Sequence, residues 1–361
     1  MDMNRFRIFP PDVPNGGILF ADLEKLGRSG HMGHALVEYA PGKVLAFYPT
    51  CSAEDRRWKG HSGFGWMEYK RSLDGGETWS DPITEPHSKA LFDADRGRTF
   101  MCEKAVVTPS GRIILFYLQC DMRVNGHIWE PYFEPHYAFS EDGGATWSDL
   151  RMFEHEGGRI YDAICKDGVV YVMFYADAEL PGTAHQRESQ MRLYVSHDDG
   201  ETFEIRSVMG FQSTNNCYYG TMCFTPEDDL IVYTYDEKDE HNLKYIVSRD
   251  LGKTWEPNRR AFFAQRMRNP QLACFHGTYF MHGRSGSFGN NPGHFILYTS
   301  PDGFNWDEGQ MLALRTAGVG AYSNNILVHT PDGRERLLIQ TSHAYFENNT
   351  NTIMFFVEDN A

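Results

Sequence analysis

The sequence lacks the features that would take it to a membrane or to nucleic acid. No run of about 18 apolar residues occurs, which excludes an ordinary spanning helix. The opening MDMNRFRIFPPDVPNGG lacks the basic-then-apolar order of a secretory leader. Positive charge is scarce: 34 Lys and Arg stand against 49 Asp and Glu, for a formal net charge of -15. Such a surface repels phosphate backbones and anionic lipid, so neither nucleic acid nor membrane is an expected partner, and an acidic ligand would need a locally basic pocket. Also missing are a long amphipathic helix, a Pro/Gly/Ser-rich linker, a phosphate-binding glycine loop and a G-x-S-x-G elbow. The expected location is the cytoplasm for the chain as given, or the periplasm or exterior if a leader has been removed. The seven cysteines are an odd number, and Cys102, Cys165, Cys223 and Cys274 sit in apolar runs as small hydrophobes, which favours a reducing compartment.

What the chain has is repetition. Of its 361 residues 41% are hydrophobic and 14% aromatic, enough for a large core. The stretches SLDGGETW (72–79), SEDGGATW (140–147), SHDDGETF (196–203), SRDLGKTW (248–255) and SPDGFNW (300–306) are variants of one acidic turn. Their aspartates, Asp74, Asp142, Asp198, Asp250 and Asp302, recur at roughly 50 to 70 residues, the spacing of propeller blades with loop insertions. A short alternating strand precedes each turn, and two apolar strands joined by a tight turn lie further upstream. A sixth copy, NNILVHTPDGRERLLIQT, ends in TIMFFVED without the acidic turn. The expectation is an all-β, six-bladed β-propeller forming one domain over residues 1–361. Its last sheet would be completed by an N-terminal strand from RFRIF or GGILFAD, which removes exposed edges.

The S-x-D-x-G-x-T-W pattern resembles the Asp-box, or BNR repeat, of the sialidase (neuraminidase) superfamily, whose members are six-bladed propellers. The resemblance covers essentially the whole chain. In that family the box is structural: aspartate and hydroxyl groups bond the backbone of a tight turn, glycine accepts positive φ, and tryptophan packs between sheets. Family activity rests on three arginines that clamp the substrate carboxylate, an aspartate acid/base, and a tyrosine nucleophile activated by a glutamate. At the first arginine's place this chain has His31, Gly33 or His34, and at the aspartate's place His61. The glutamate falls near Tyr218, the second arginine near Tyr235 and the third at His294. Only the tyrosine is kept, as Tyr322 in GAYSNNILV. Lacking the arginine triad at these places, the chain is not expected to be a true sialidase.

A propeller's site lies where the innermost strands begin. Those six places hold His31 and His34; Glu103 and Lys104; Tyr161 and Asp162; Asn216, Tyr218 and Tyr219; Arg268, Asn269 and Gln271; and Tyr322, Asn324 and Asn325. Convergence of so many polar groups on one axis points to a ligand. Two mechanisms fit. A glycosidase would use Glu103 and Asp162, or His61 with one of them, as acid and base. A polysaccharide lyase would neutralise a uronate with Arg268 or Lys104 and use His34 or His61 with Tyr322 or Tyr219 as base and acid. Tyr161, Tyr218, Tyr219, Asn324 and His294 complete the candidate binding set. A non-catalytic glycan-binding propeller is the third reading. No cofactor is called for, and His31-x-x-His34 lacks a third metal ligand.

Overall fold

The computed structural model describes residues 5–14, 16–53, 63–123, 132–179, 187–211, 217–236, 238–286, 293–318 and 320–360. Six antiparallel sheets follow one another along the chain. The first contains Leu36–Ala40, Lys43–Ser52, Gly65–Ser72 and Ile83–Thr84, with the short strand Arg28–Ser29 pairing the far end of Lys43–Ser52. The second runs Arg98–Val107, Ile113–Asp121, His136–Ser140, Arg151–Met152, and the third Gly158–Lys166, Val169–Glu179, Arg187–Ser196, Glu204–Val208. Cys217–Phe224, Leu230–Asp236, Asn242–Ser248 and Arg259–Phe262 form the fourth. Arg268–Phe275, Thr278–Arg284, Phe295–Ser300 and Gln310–Ala313 form the fifth. The sixth comprises Ser323–His329, Glu335–Phe346 and Asn349–Asp359. Both N-terminal candidates close it: Phe6–Phe9 pairs with Phe356–Asp359, and Ile18–Ala21 with Thr352–Met354.

The sequence explains this layering. Second strands such as Ile113–Asp121 are buried almost throughout, because each is covered on both faces by neighbouring sheets, and they read as unbroken apolar runs. Third strands such as Gly65–Ser72 alternate buried and half-buried residues and end in the acidic turn. One element departs from the all-β expectation of pattern. Pro86–Ala94 is a helix between the first and second sheets, started by Pro86 in the first turn and capped by the Glu85 carboxylate, which accepts from the His87 and Ser88 amides at 3.2 and 2.7 Å. It is too short to show helical periodicity.

The turns do the structural work expected of them. In the second sheet the Ser140 hydroxyl donates to Asp142 at 2.9 Å, and Asp142 accepts from the Thr146 amide at 2.9 Å and hydroxyl at 2.6 Å. Those bonds, the Thr146 hydroxyl first, hold Asp142 down to a pKa of about 2, and Thr254 does the same for Asp250. Each box also receives a donor from the preceding sheet. Tyr69 reaches the Gly144 carbonyl at 2.8 Å, Arg112 that of Asp199 at 3.1 Å, and Ser207 that of Gly252 at 2.6 Å. Tyr233 reaches Gly303 at 2.7 Å, and Arg336 of the sixth sheet reaches Gly75 of the first at 2.9 Å. The five boxes are therefore joints between sheets as well as turns within them.

Candidate active site

Four consecutive inner strands carry a bulge at one level. Pairing register shifts between Cys102 and Lys104, Ile160 and Asp162, Tyr218 and Gly220, and Arg268 and Gln271. The residues thrown out of register, Glu103, Tyr161, Tyr219 and Asn269, all line one axial cavity of about 40 Å³. A bulge re-aims a side chain that strict alternation would turn into the inter-sheet core. Tyr219 and Asn269 adopt the left-handed region, at φ 52° and 51°. In the first sheet the same place is reached by the break between Arg28–Ser29 and Leu36–Ala40, which presents Met32, Gly33 and His34. In the sixth it is reached by Ala321, at φ 64°, just before Tyr322.

Below the cavity lies a polar lattice that ties five sheets together. The Lys104 ammonium meets Asp162 at 3.0 Å and donates to Gln271 and Asn324, each at 2.6 Å. Asp162 accepts from the Ala163 amide at 2.9 Å through one oxygen, and from the Thr221 hydroxyl at 2.9 Å and Met222 amide at 2.8 Å through the other. Asn324 donates back to the Glu103 carbonyl at 3.3 Å. Lys104, Asp162 and Asn324 thus spend their polar atoms on one another. His34 is fully engaged too: its ring nitrogens meet the His31 carbonyl at 2.9 Å and Gln340 at 3.2 Å, and burial pushes its pKa down to about 4. His282 bonds Ser323 at 3.0 Å and Asn325 at 2.9 Å, and burial takes it to about 3.

Around the mouth stand aromatic rings and three arginines. Tyr219 packs against Tyr161 at 5.1 Å, Tyr235 at 5.9 Å and Tyr322 at 6.0 Å between ring centroids, and His31 meets Tyr322 edge-on at 6.1 Å. Arg159 lies 4.6 Å above the Tyr219 ring and donates to one oxygen of Glu103 at 3.0 and 2.6 Å. Arg268 donates to the Tyr235 hydroxyl at 3.0 Å and pairs with Glu240 at 3.3 Å. Arg284 is 6% exposed and lies 6.0 Å from the Tyr322 ring. Among the described residues its Nε has no hydrogen-bond partner and no carboxylate pairs with it. Burial lowers its pKa, Tyr322 opposing and Arg268 adding to the shift.

The candidate residues divide accordingly. Glu103, Lys104, Tyr161, Tyr219, Asn324, Tyr322 and His34 border the cavity, while Asp162 lies in the lattice beneath it. Arg268 stands beside Tyr235. His294 lies outside the cavity, its backbone amide donating to Ser285 at 3.1 Å and its ring accepting from the Arg315 amide at 2.7 Å, and burial lowers its pKa. His61, Asn216 and the Tyr218 side chain lie outside the described residues. Sequence reasoning missed Arg159, and it left FHGTYFMHGRSG, with His276, His282 and Arg284, open between pocket lining and strand-turn filler. Arg159 stands two residues before Tyr161 in GRIYD, so reading one turn further upstream at each inner strand would have found it. Arg284 ends the second strand of the fifth sheet, Thr278–Arg284. Among the described residues no group of three or more His, Cys, Asp or Glu side chains could hold a metal ion. No helix there is long and apolar enough to cross a membrane.

Six sheets around an axis, jointed by acidic turns and with a tyrosine and arginines at the mouth, define a sialidase-like β-propeller built on BNR repeats. The chain belongs to the BNR repeat-like domain family, whose pattern it matches over residues 21–259. A comparison with curated protein sequences gives no match. Among solved structures, a protein of unknown function from Dyadobacter fermentans superposes with a TM-score of 0.70 at 12% identity, covering 98% of this chain and 99% of its own. A Hadza microbial sialidase gives 0.70 at 16% identity, covering 95% and 68%. The intramolecular trans-sialidase of Ruminococcus gnavus gives 0.63 at 12% identity, covering 94% and 97%. At these identities the likeness is one of fold.

Proposed function

We propose that the protein is a carbohydrate-active enzyme that cleaves a glycosidic bond at the axial mouth, on a sugar carrying an acidic group. The observation that carries this reading is Arg284, a buried cation beside Tyr322 with no carboxylate partner among the described residues. An unpaired buried guanidinium is costly, and a ligand carboxylate or sulfate would supply its counter-charge. With a net charge of -15, an acidic ligand needs a locally basic pocket, which such a cation helps to supply.

In this reading the Tyr322 oxygen attacks the anomeric carbon beside the Arg284 guanidinium as the glycosidic C–O bond breaks, its proton passing to solvent, and water then hydrolyses the glycosyl-tyrosine to regenerate Tyr322. His61, which the register of the first box puts at the acid position, protonates the departing oxygen. A Glu103–Asp162 acid/base pair is disfavoured, because Asp162 has both oxygens committed to Lys104, Thr221 and backbone amides. A lyase acting on a uronic-acid glycan is the second reading. It draws on His61 with Tyr322, since His34 and His282 have both ring nitrogens engaged.

The test incubates the protein with sialylated, uronate-containing and neutral oligosaccharides while following mass and ultraviolet absorbance. Release of a saturated sugar from an acidic substrate is the expected result. A new unsaturated chromophore would move the assignment to the lyase, and binding without turnover to a glycan-binding module.

A further inference from the structure

Two buried polar atoms on the axial cavity have no hydrogen-bond partner among the described residues. Glu103 has a side chain only 8% exposed, and Arg159 bonds one of its oxygens twice while the other, Oε1, bonds nothing. Asn269, 4% exposed, keeps its Nδ2 donor unbonded. One is an acceptor, the other a donor, and both residues line the same cavity. Each was placed there by a bulge, and Asn269 holds a left-handed φ of 51° to do so. A buried polar atom left unmatched costs about 1–3 kcal/mol, so two of them lining one cavity call for an occupant.

We propose that Glu103 and Asn269 form a subsite for a single neutral hydroxyl of the bound sugar. A hydroxyl is the one common sugar group that donates and accepts through the same oxygen, so it satisfies the carboxylate and the amide together. The cavity, at about 40 Å³, has room for a hydroxyl. Arg159 supplies the carboxylate's counter-charge from within the protein, so this subsite takes a neutral group, whereas Arg284 awaits an acidic one. The subsite rests on the axial mouth being a sugar site, but not on the sugar being acidic. It selects among sugars by the hydroxyl they can insert, because an analogue lacking it leaves both atoms unpaired.

The test soaks crystals of the full chain with neutral methyl glycosides of glucose, galactose, mannose and xylose, and separately with glucuronate and N-acetylneuraminate. The expected result is a sugar oxygen within hydrogen-bond distance of both Glu103 Oε1 and Asn269 Nδ2. Monodeoxy analogues of any sugar that binds are then compared by calorimetry. Removing the inserted hydroxyl should weaken binding at least tenfold in the wild type, and parent and analogue should bind alike in Glu103→Gln. Asn269→Gly keeps the left-handed backbone, removes the donor, and should show the same loss of discrimination should Glu103→Gln not fold. If every soak leaves only a water between the two residues, or the variants discriminate as the wild type does, the subsite is overturned. Neutral sugars that bind there while acidic ones show no preference would overturn the acidic-substrate reading alone.

Discussion

In the proposed function Tyr322 and Arg284 carry the chemistry, and their substitutions should behave differently. Tyr322→Phe removes the reacting oxygen and little else, so kcat should fall about 10³-fold or more while a substrate's KM changes little. Arg284→Met should raise KM for an acidic substrate about 10- to 100-fold. It should also raise the melting temperature, because it deletes an unpaired buried cation. A fall in stability would mean that Arg284 serves the fold instead. The buried histidines set a pH limit. His34 and His282, at about 4 and about 3, are neutral in the native state, whereas their unfolded forms titrate near 6.5. The unfolded chain then binds more protons below 6.5. Stability should therefore fall by about 1.4 kcal/mol per pH unit per histidine between pH 6.5 and 4, as urea denaturation would measure. Tyr322 was readable in the sequence because a local segment surrounds it. The arginines were not, because Arg159 and Arg284 come from different strands of different sheets.

At the scale of the element, the acidic turn is both a turn and a joint. Asp250→Ala breaks the bonds to the Thr254 amide and hydroxyl at 2.8 and 2.6 Å and should lower the melting temperature with activity unchanged at permissive temperature. Ser207→Ala cuts the tie from the third sheet to the fourth box and should cost about 1 kcal/mol. A loss of turnover without loss of stability in either variant would contradict the structural reading of the box. The depressed carboxylates give these turns their own acid limit. Asp142 and Asp250, at about 2, keep their contribution above the unfolded carboxylate range near 4 and lose it only as pH falls toward 2. The histidine window thus precedes the box window on acidification. The spacing of the boxes was plain in the sequence because each is a contiguous eight-residue signal. The helix Pro86–Ala94 was not, since its cap works through a Glu85 carboxylate that also accepts from Tyr117 at 3.0 Å, a partner from the neighbouring sheet.

For the whole molecule, closure is the decisive contact. Phe6–Phe9 covers the outer edge of Asn349–Asp359, and Arg5 clasps Asp359 at 2.7 Å. Deleting residues 1–9 uncovers that edge, so the shortened chain should melt lower and aggregate through strand addition, as light scattering during a thermal ramp would show. With every described sheet tied to its neighbours, the intact ring should unfold in one transition by calorimetry, and two separated transitions would divide residues 1–361 into more than one unit. By itself the sequence determined the number of sheets, the place of the turns and the tyrosine at the mouth, because these depend on short segments and regular spacing. The bulges that bring Glu103, Tyr161, Tyr219 and Asn269 to one cavity, the commitment of Asp162 to Lys104, and the isolation of Arg284 beside Tyr322 were decided only by the tertiary structure. A one-residue slip in a strand exchanges its two faces, and whether a charge has a partner depends on which other sheets the ring brings beside it.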